Sequence, residues 1–430
     1  MTDRDVLSGT PRAAGFVMPP EWAPHERCFM AWPCREETWA LSDGDIEAGR
    51  EAYAEVAKAI ARFEPVTMLC RQEDVADASM ACGNSIDILP VDLDDSWTRD
   101  TGPTFVVHPD GRQAAVDWTF NGWGGLLGDE YARDAQLVLT LAERFGWSLF
   151  DAPLVTEGGA IHTDGEGTLL AVESCIVNEN RNPGMSRDHI AKLLKDYTGT
   201  EKIIWLNDGF EEDETGGHVD NFACFAAPGK VLLNMPSDEK DPNFTLGQDA
   251  LSRLQKAEDA KGRELEIILM PQPKPIYEKG RRLPAGYINF YIAGQGDNAA
   301  IVMPSFNQNT DAEAARVMNS VFPEHEIVQV PALDIIRGGG GIHCDLKMGE
   351  LVLIHAGGSG VGTAAIQLAH RAGAYTYSTA GSQEKIDKAR NLGLDVGINY
   401  HDDDFFEVIN QKTNGQGVDV ILDVIGRPYW

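Results

Sequence analysis

Five times in the first 345 residues, a helix-like stretch is followed within a few residues by a short apolar run of strand type. The pairs are DIEAGREAYAEVAKAIARF with VTMLC, DEYARDAQLVLTLAERFG with SLFDA, SRDHIAKLLKDYTG with KIIWL, TLGQDALSRLQKAEDAKG with LEIILM, and DAEAARVMNSVF with EIVQV. In the first, Ile46, Tyr53, Val56, Ile60 and Phe63 recur at helical spacing, which leaves Glu47, Arg50, Lys58 and Arg62 for the wet face. Hairpin-like stretches with turn residues at their centres stand between the pairs, NFACFAAPGKVLLN and YINFYIAGQGDNAAIVMP among them. Residues 20–345 are therefore expected to form five strand-strand-helix-strand units, with helices starting near residues 45, 131, 187, 245 and 311. A ring of such units buries the apolar face of each and gathers the loops that leave equivalent strands.

Polar motifs stand where that gathering would occur. DDSWTRDTGP follows the first pair, TEGGAIHTDGEGT the second, DGFEEDETGGHVDN the third and RGGGGIHCD the fifth. Only the fourth, PQPKPIYEKGRRLPAGY, lacks a carboxylate, histidine or cysteine in a glycine-rich setting. Taken together, Asp100, Glu157, His218, Asp220 and Cys344 supply three carboxylates, an imidazole and a thiol from four units. A thiol becomes a good nucleophile only as a thiolate, and a cationic substrate stabilises that form. A guanidinium is planar and permanently charged, so carboxylates on its edges can fix it while sulfur approaches its central carbon. Asp100 and Asp220 suit the edges, and His218 can protonate departing ammonia, with Glu157 orienting the imidazolium.

The bulk charge favours a cationic partner, although solubility alone accounts for many acidic proteins and is the stronger reading on charge by itself. Formal net charge is −31, and residues 1–347 alone hold 30 basic against 57 acidic side chains. Such a surface repels nucleic acid and anionic lipid. Seven cysteines without a C-x-x-C pair, mostly in apolar segments, point to a reducing, cytoplasmic setting. The start of the chain has no apolar signal-like region, and the uncharged run Leu351–Ala369 is broken by repeated glycines, so no membrane span is expected.

The segments MPPEWAPHERCFMAWP, DDSWTRDTGPTFVV, EGGAIHTDGEGTLLAVESCIVNENRNP, DETGGHVDNFACF, LPAGYINFYIA and GGGGIHC together resemble the agmatine deiminase family, within the peptidyl-arginine deiminase group of the guanidine-modifying superfamily. The resemblance covers about residues 18–345. It implies an α/β fold, the five-bladed α/β propeller or pentein, over 18–346 after an N-terminal extension of 1–17. It also implies hydrolysis of agmatine to N-carbamoylputrescine and ammonia through a cysteine thiouronium, in putrescine biosynthesis, with neither cofactor nor metal. Its nucleophile falls on Cys344, its catalytic histidine on His218, the partner acid on Glu157, and its guanidinium-binding carboxylates on Asp100 and Asp220. Trp97 falls on the family's pocket tryptophan, where a π face can meet a cation. Glu214 is a candidate for the distal ammonium, a solvated loop acid being the alternative. Deimination of peptidyl arginine and an inactive chimera are the rival readings, and a homo-oligomer is compatible with each.

After Cys344 the family's usual ending is replaced by DLKMGE, which calls into question the last strand of the fifth unit. Residues 348–430 then read as strand, glycine turn, helix and further strands. They are similar to the cofactor domain of zinc-free NADPH-dependent quinone oxidoreductases of the medium-chain dehydrogenase superfamily. That resemblance implies a partial Rossmann-like β-α-β segment with a vestigial NADPH site. Gly358, Gly360 and Val361 would lie at the phosphate, Ser382 and Lys385 at the 2′-phosphate, and Tyr400 at a further cofactor contact. The length is about half of such a sheet, which leaves VDVILDVI as an unpartnered edge.

Overall fold

Local capping sets the ends of the long helices. Asp45 accepts from the Ala48 amide to start the helix Ile46–Ile60, and Ser186 accepts from His189 N ahead of Arg187–Thr198. Asp241 precedes Pro242 at the start of Pro242–Lys256. Gly146 and Gly199 end their helices in the left-handed conformation, with φ of 73° and 70°. In the computed structural model the described residues are 6–210, 213–296, 298–344, 346–348, 351–371, 375–394, 396–412, 418 and 420–423.

The chain divides into two compact units. One holds 1–22, 27–106 and 114–347; the other holds 23–26, 107–113 and 348–430. Within the first, the repeat is visible in the sheets. Three-stranded sheets are formed by Thr104–Val107, Gln113–Thr119 and Leu149–Val155; by Ile161–Thr163, Thr168–Val172 and Lys202–Leu206; by Ala223–Ala227, Lys230–Met235 and Glu266–Pro271; and by Tyr291–Gln295, Asn298–Ser305 and Glu326–Pro331. In the last two, the first pair of strands is antiparallel and the middle strand pairs in parallel with the strand after the helix. That is the strand-strand-helix-strand pattern.

The first unit departs from expectation. Arg27–Ala31 and Val66–Cys70 flank the helix and pair in parallel, but no second strand precedes that helix among the described residues. The missing neighbour is Leu346–Met348, which joins the sheet at the free edge of Arg27–Ala31, while Asp87–Pro90 extends the other edge. The segment after Cys344 thus completes the first sheet, and the fifth is whole without it. A second correction concerns the helix expected from residue 131. It begins at Leu137, after a short 3-10 turn at Asp134–Gln136. Asp134 turns inward and its carboxylate accepts the amides of Asp94 and Asp95, which holds the preceding residues in turns.

Two apolar clusters fill this unit. One centres on Trp32, Trp39, Tyr287 and Tyr291, the other on Phe150, Leu170, Phe222 and Phe225. Phe16 and Met18 of the N-terminal stretch are buried in the second, and Met18 N donates to Thr198 O. The six cysteines other than Cys344 are all buried, and none is in a disulfide.

The second unit has a parallel sheet in the order Val396–Asn399, Tyr375–Ala380, Leu351–Ile354, Val420–Leu422. Helices Gly360–Arg371, Gln383–Arg390 and Phe405–Lys412 accompany it. Of the expected edge VDVILDVI, Val420–Leu422 is a strand at the sheet edge with Ile421 exposed; residues 419, 424 and 425 lie outside the described residues. Among the described residues no helix is long and apolar enough to cross a membrane.

Candidate active site

Four turns, each after the last strand of a different unit, meet in the first compact unit. Thr98–Thr101 carries Asp100, Gly158–Ala160 follows Glu157, Val219–Asn221 carries Asp220 just after His218, and Ile342–Cys344 ends on Cys344. A Cβ placed on Gly159 would stand 2.6 Å from His218 Nδ1, 2.9 Å from Asp100 Oδ1 and 3.1 Å from Asp220 Oδ2. Residue 159 must therefore be glycine, and three expected side chains converge on it. The Cys344 side chain lies outside the described residues.

Each group is held. Asp100 Oδ1 accepts the Gly159 amide at 3.0 Å and Oδ2 accepts Trp123 Nε1 at 2.9 Å. His218 Nε2 lies 3.4 Å from Glu157 Oε2, and Nδ1 lies 3.7 Å from Asp100 Oδ2. Burial alone would lower the His218 pKa, but Asp100, Glu157 and Asp213 outweigh it and push it up to about 10. The ring is an imidazolium at neutral pH. Burial likewise opposes ionisation of Glu157, yet the His218 and Arg181 contacts hold its pKa below the usual carboxylate range. Asp100 shows the opposite balance: burial, with Asp220 and Glu157 adding to it, raises its pKa despite His218.

These groups floor a cavity of about 200 Å³ lined by Trp97, Trp123, Asp100, His218, Asp220 and Glu214 among others. Its walls are part aromatic and part acidic, which suits a slim cation. Trp97 is stacked on Trp39, with ring centroids 6.4 Å apart and planes 11° apart. Gly340 lies against it, since a Cβ there would fall 2.2 Å from the indole. Glu214 lines the cavity, and its carboxylate is paired with Arg281. Arg281 belongs to PQPKPIYEKGRRLPAGY, so the fourth inter-unit segment also reaches the site.

Sequence reading missed the residues that support the site. Arg181 Nε donates to both Glu157 oxygens at 3.0 Å, and its Nη2 donates to Thr215 O at 2.6 Å. Asp213 accepts the His218 amide at 2.8 Å and the Asn221 side chain at 2.7 Å. Asn289 accepts the His343 amide at 2.7 Å and donates to Asn221 Oδ1 at 3.1 Å. His343 Nδ1 sits 2.9 Å from Asp220 Oδ2. Arg181, Asn289 and His343 stand inside the segments that carry the family resemblance, but nothing local marks their partners.

Two clusters have the composition of a metal site, Glu21 with His162 and His343, and Glu157 with Cys175 and His218. Neither suits an ion. Burial pushes the His162 pKa down to about 3, so the ring is neutral. Its Nδ1 accepts the Phe225 amide at 3.3 Å, which leaves Nε2 protonated and without a lone pair. Both oxygens of Glu157 are taken by Arg181.

In the second unit, Gly362 packs under the turn, where a Cβ would meet Ala356 O at 2.2 Å. The helix begins at Gly360, beside which the space is open. The space open there is beside a helix N-terminus, and the Lys385 side chain lies against Gly358. Ser382, just after strand Tyr375–Ala380, caps the helix Gln383–Arg390 by accepting Lys385 N from its first turn. Tyr400 is partly exposed near Gly381.

The fold and the buried groups define an α/β protein with a cavity lined by carboxylates and aromatic rings. The chain belongs to the Porphyromonas-type peptidyl-arginine deiminase family, whose model matches residues 17–346; deiminases act on guanidino C–N bonds. A second model, described as zinc-binding dehydrogenase, matches residues 360–430. Among the described residues neither metal-type cluster lies in that segment. The agmatine deiminase of Pseudomonas aeruginosa is 45% identical over 363 residues, covering 78% of this chain and 96% of its own. That of Stutzerimonas stutzeri is 43% identical over 366 residues, covering 79% and 96%. Among solved structures, the agmatine deiminase of Enterococcus faecalis, described as catalysing its reaction, aligns with a TM-score of 0.76 at 34% identity, covering 80% of this chain and 99% of its own. A cysteine-to-serine variant of the C. jejuni agmatine deiminase with substrate bound aligns at 0.69 and 28% identity, covering 77% and 96%.

Proposed function

We propose that the chain is an agmatine deiminase, hydrolysing agmatine to N-carbamoylputrescine and ammonia, and that residues 18–346 form a five-bladed α/β propeller with the four polar turns at its axis. The observation that carries this reading is the convergence of His218, Asp100 and Asp220 on Gly159 beside an aromatic, acidic cavity. Asp100 and Asp220 bind the guanidinium edges and turn its central carbon toward Cys344. The Cys344 thiolate adds to that carbon and forms a C–S bond. One C–N bond then breaks, and the leaving nitrogen takes the His218 proton and departs as ammonia. Nε2 of His218 is anchored on Glu157, so Nδ1 is the nitrogen that transfers the proton. A water then attacks the thiouronium carbon and yields one proton to His218; the C–S bond breaks, the thiolate is restored, and the new hydroxyl loses its remaining proton to solvent, where the released ammonia takes it up, as the product carbonyl forms. Trp97 and Glu214 line the path of the aliphatic chain and its ammonium.

Residues 348–430 are proposed as a separate Rossmann-like segment and residues 1–17 as an extension, in a cytoplasmic protein. Bound NADPH would supply hydride; here Gly358, Gly360 and Val361 would hold its phosphates and Ser382 and Lys385 its 2′-phosphate. The deimination route uses none of them.

Incubating the full chain with agmatine, free arginine and an arginine peptide tests the reading. Ammonia and N-carbamoylputrescine from agmatine, lost in Cys344→Ala, are expected. Turnover of the peptide alone would replace agmatine by peptidyl arginine, and no turnover of any substrate would make the chain an inactive member.

A further inference from the structure

Arg181 is a wholly buried cation next to the reaction site that the route above does not use. Its side chain and that of Glu157 are 1% and 0% exposed. It makes no contact with the cavity, whose lining includes neither residue. Its Nε is shared by both Glu157 oxygens, and its two terminal nitrogens are spent on main-chain carbonyls, Nη2 on Thr215 at 2.6 Å and Nη1 on Cys175 at 3.4 Å. The guanidinium is thus clamped between the segment that follows strand Thr168–Val172, at Cys175, and the turn that leads into His218. Glu157 is left with only the direction of His218 in which to accept further.

We infer that Arg181 is a positioning residue for deimination: it keeps Glu157 ionised, fixes the oxygen that orients His218, and supplies a permanent positive charge beneath the carboxylates. This rests on the deiminase reading. Asp100, Glu157, Asp213 and Asp220 crowd His218, the Cys175 thiol lies below, and Arg181 and His218 are the positive groups among them. A site that must also accommodate a thiolate gains from a fixed cation that substrate binding and product release do not remove. Arginine suits the position because its planar fork can hold a carboxylate and two carbonyls at once, whereas an ammonium cannot match that geometry.

The sign of the effect follows from charge. Removing a buried positive charge raises the proton affinity of Glu157, so the acid limb of kcat moves to higher pH. It cannot make His218 lose its proton more readily, so the alkaline limb does not move down. Arg181→Gln is expected to shift the acid limb up by about one unit and to lower kcat about 100-fold, while KM for agmatine stays within about threefold. Arg181→Lys keeps the charge but loses the fork, so the limb should stay in place while kcat falls about 10-fold. A role confined to packing would lower kcat in proportion to the folded fraction and leave both limbs where they are. Coincident limbs for Arg181→Gln and the unaltered chain would overturn the inference. If that variant does not fold, Arg181→Lys with undiminished kcat would do so. Ring-nitrogen NMR of His218 during a pH titration gives a readout without turnover: the step that records Glu157 protonation should lie at higher pH in Arg181→Gln. An unaltered chain that leaves agmatine intact while showing this NMR difference would defeat the deiminase reading and leave the positioning of Glu157 standing.

Discussion

Arg99 Nε donates to the main-chain carbonyl of His343 at 3.0 Å, and its terminal nitrogens are held by Glu21 at 3.0 and 3.2 Å. Arg99 adjoins Asp100 and His343 adjoins Cys344, so this contact sets the spacing between the proposed guanidinium-binding carboxylate and the proposed nucleophile. It also explains why the MPPEW segment accompanies the site although it contributes nothing to the cavity. Glu21→Gln would leave the buried Arg99 without its counter-ion, a change that costs about 3–5 kcal/mol for buried pairs. Urea unfolding should show that loss, with reduced ammonia release; an unchanged midpoint would contradict the link.

Gly159→Ala puts a methyl among His218, Asp100 and Asp220. Overpacking of this kind costs about 1–3 kcal/mol, so the protein should fold. Ammonia release is expected to fall at least about 100-fold, since misplacing reacting groups by an ångström has that effect. A variant that folds and keeps full activity would place the chemistry elsewhere.

Trp97 offers a different readout. Trp97→Phe keeps a π face with a weaker pull on a cation, so KM for agmatine should rise about two- to fivefold with kcat little altered. Gly340→Ala, whose methyl collides with that indole, should raise KM further. Steady-state kinetics on both variants separates the outcomes, and a pure kcat effect would speak against Trp97 as a binding wall.

Titration of His218 predicts how stability depends on pH. Its folded pKa, about 10, lies above the unfolded reference of 6.5. The stabilisation is therefore complete below about pH 6.5 and is lost as pH rises through 10. The stability of the unaltered chain minus that of His218→Asn should decline over this window in denaturant titrations. A flat difference would mean that the ring is neutral.

Truncation tests the edge strand that follows Cys344. A chain ending after Met348 retains the edge strand Leu346–Met348 and should deiminate agmatine like the full chain, whereas one ending after Asp345 should unfold at lower temperature. Equal melting temperatures would show that this strand is dispensable.

Much of this was legible in the sequence because it is local. The apolar periodicity of Ile46, Tyr53, Val56 and Ile60 marks a helix without reference to anything distant, and KIIWL coincides with the strand Lys202–Leu206. The four polar turns were legible for the same reason, each following a strand of the repeat. Partnerships were not. The start of the second helix was misjudged because Asp134 reaches back to Asp94 and Asp95. The roles of Arg181 and Asn289 depend on residues tens of positions away, and the Glu214–Arg281 pair joins a motif to a segment without one. Three residues after Cys344 carry too little pattern to announce that they complete a sheet begun at Arg27.

That last arrangement bears on how the chain acquires its structure. As it emerges from the ribosome, Arg27–Ala31 is among the first strands made, yet its outer neighbour is synthesised about 300 residues later, a loop whose closure is entropically unfavourable until the intervening units have formed. The first sheet must wait with one edge open through most of translation. Assembly of the molecule is therefore expected to finish where the chain began, with the segment bearing the proposed nucleophile locked in by the same late step.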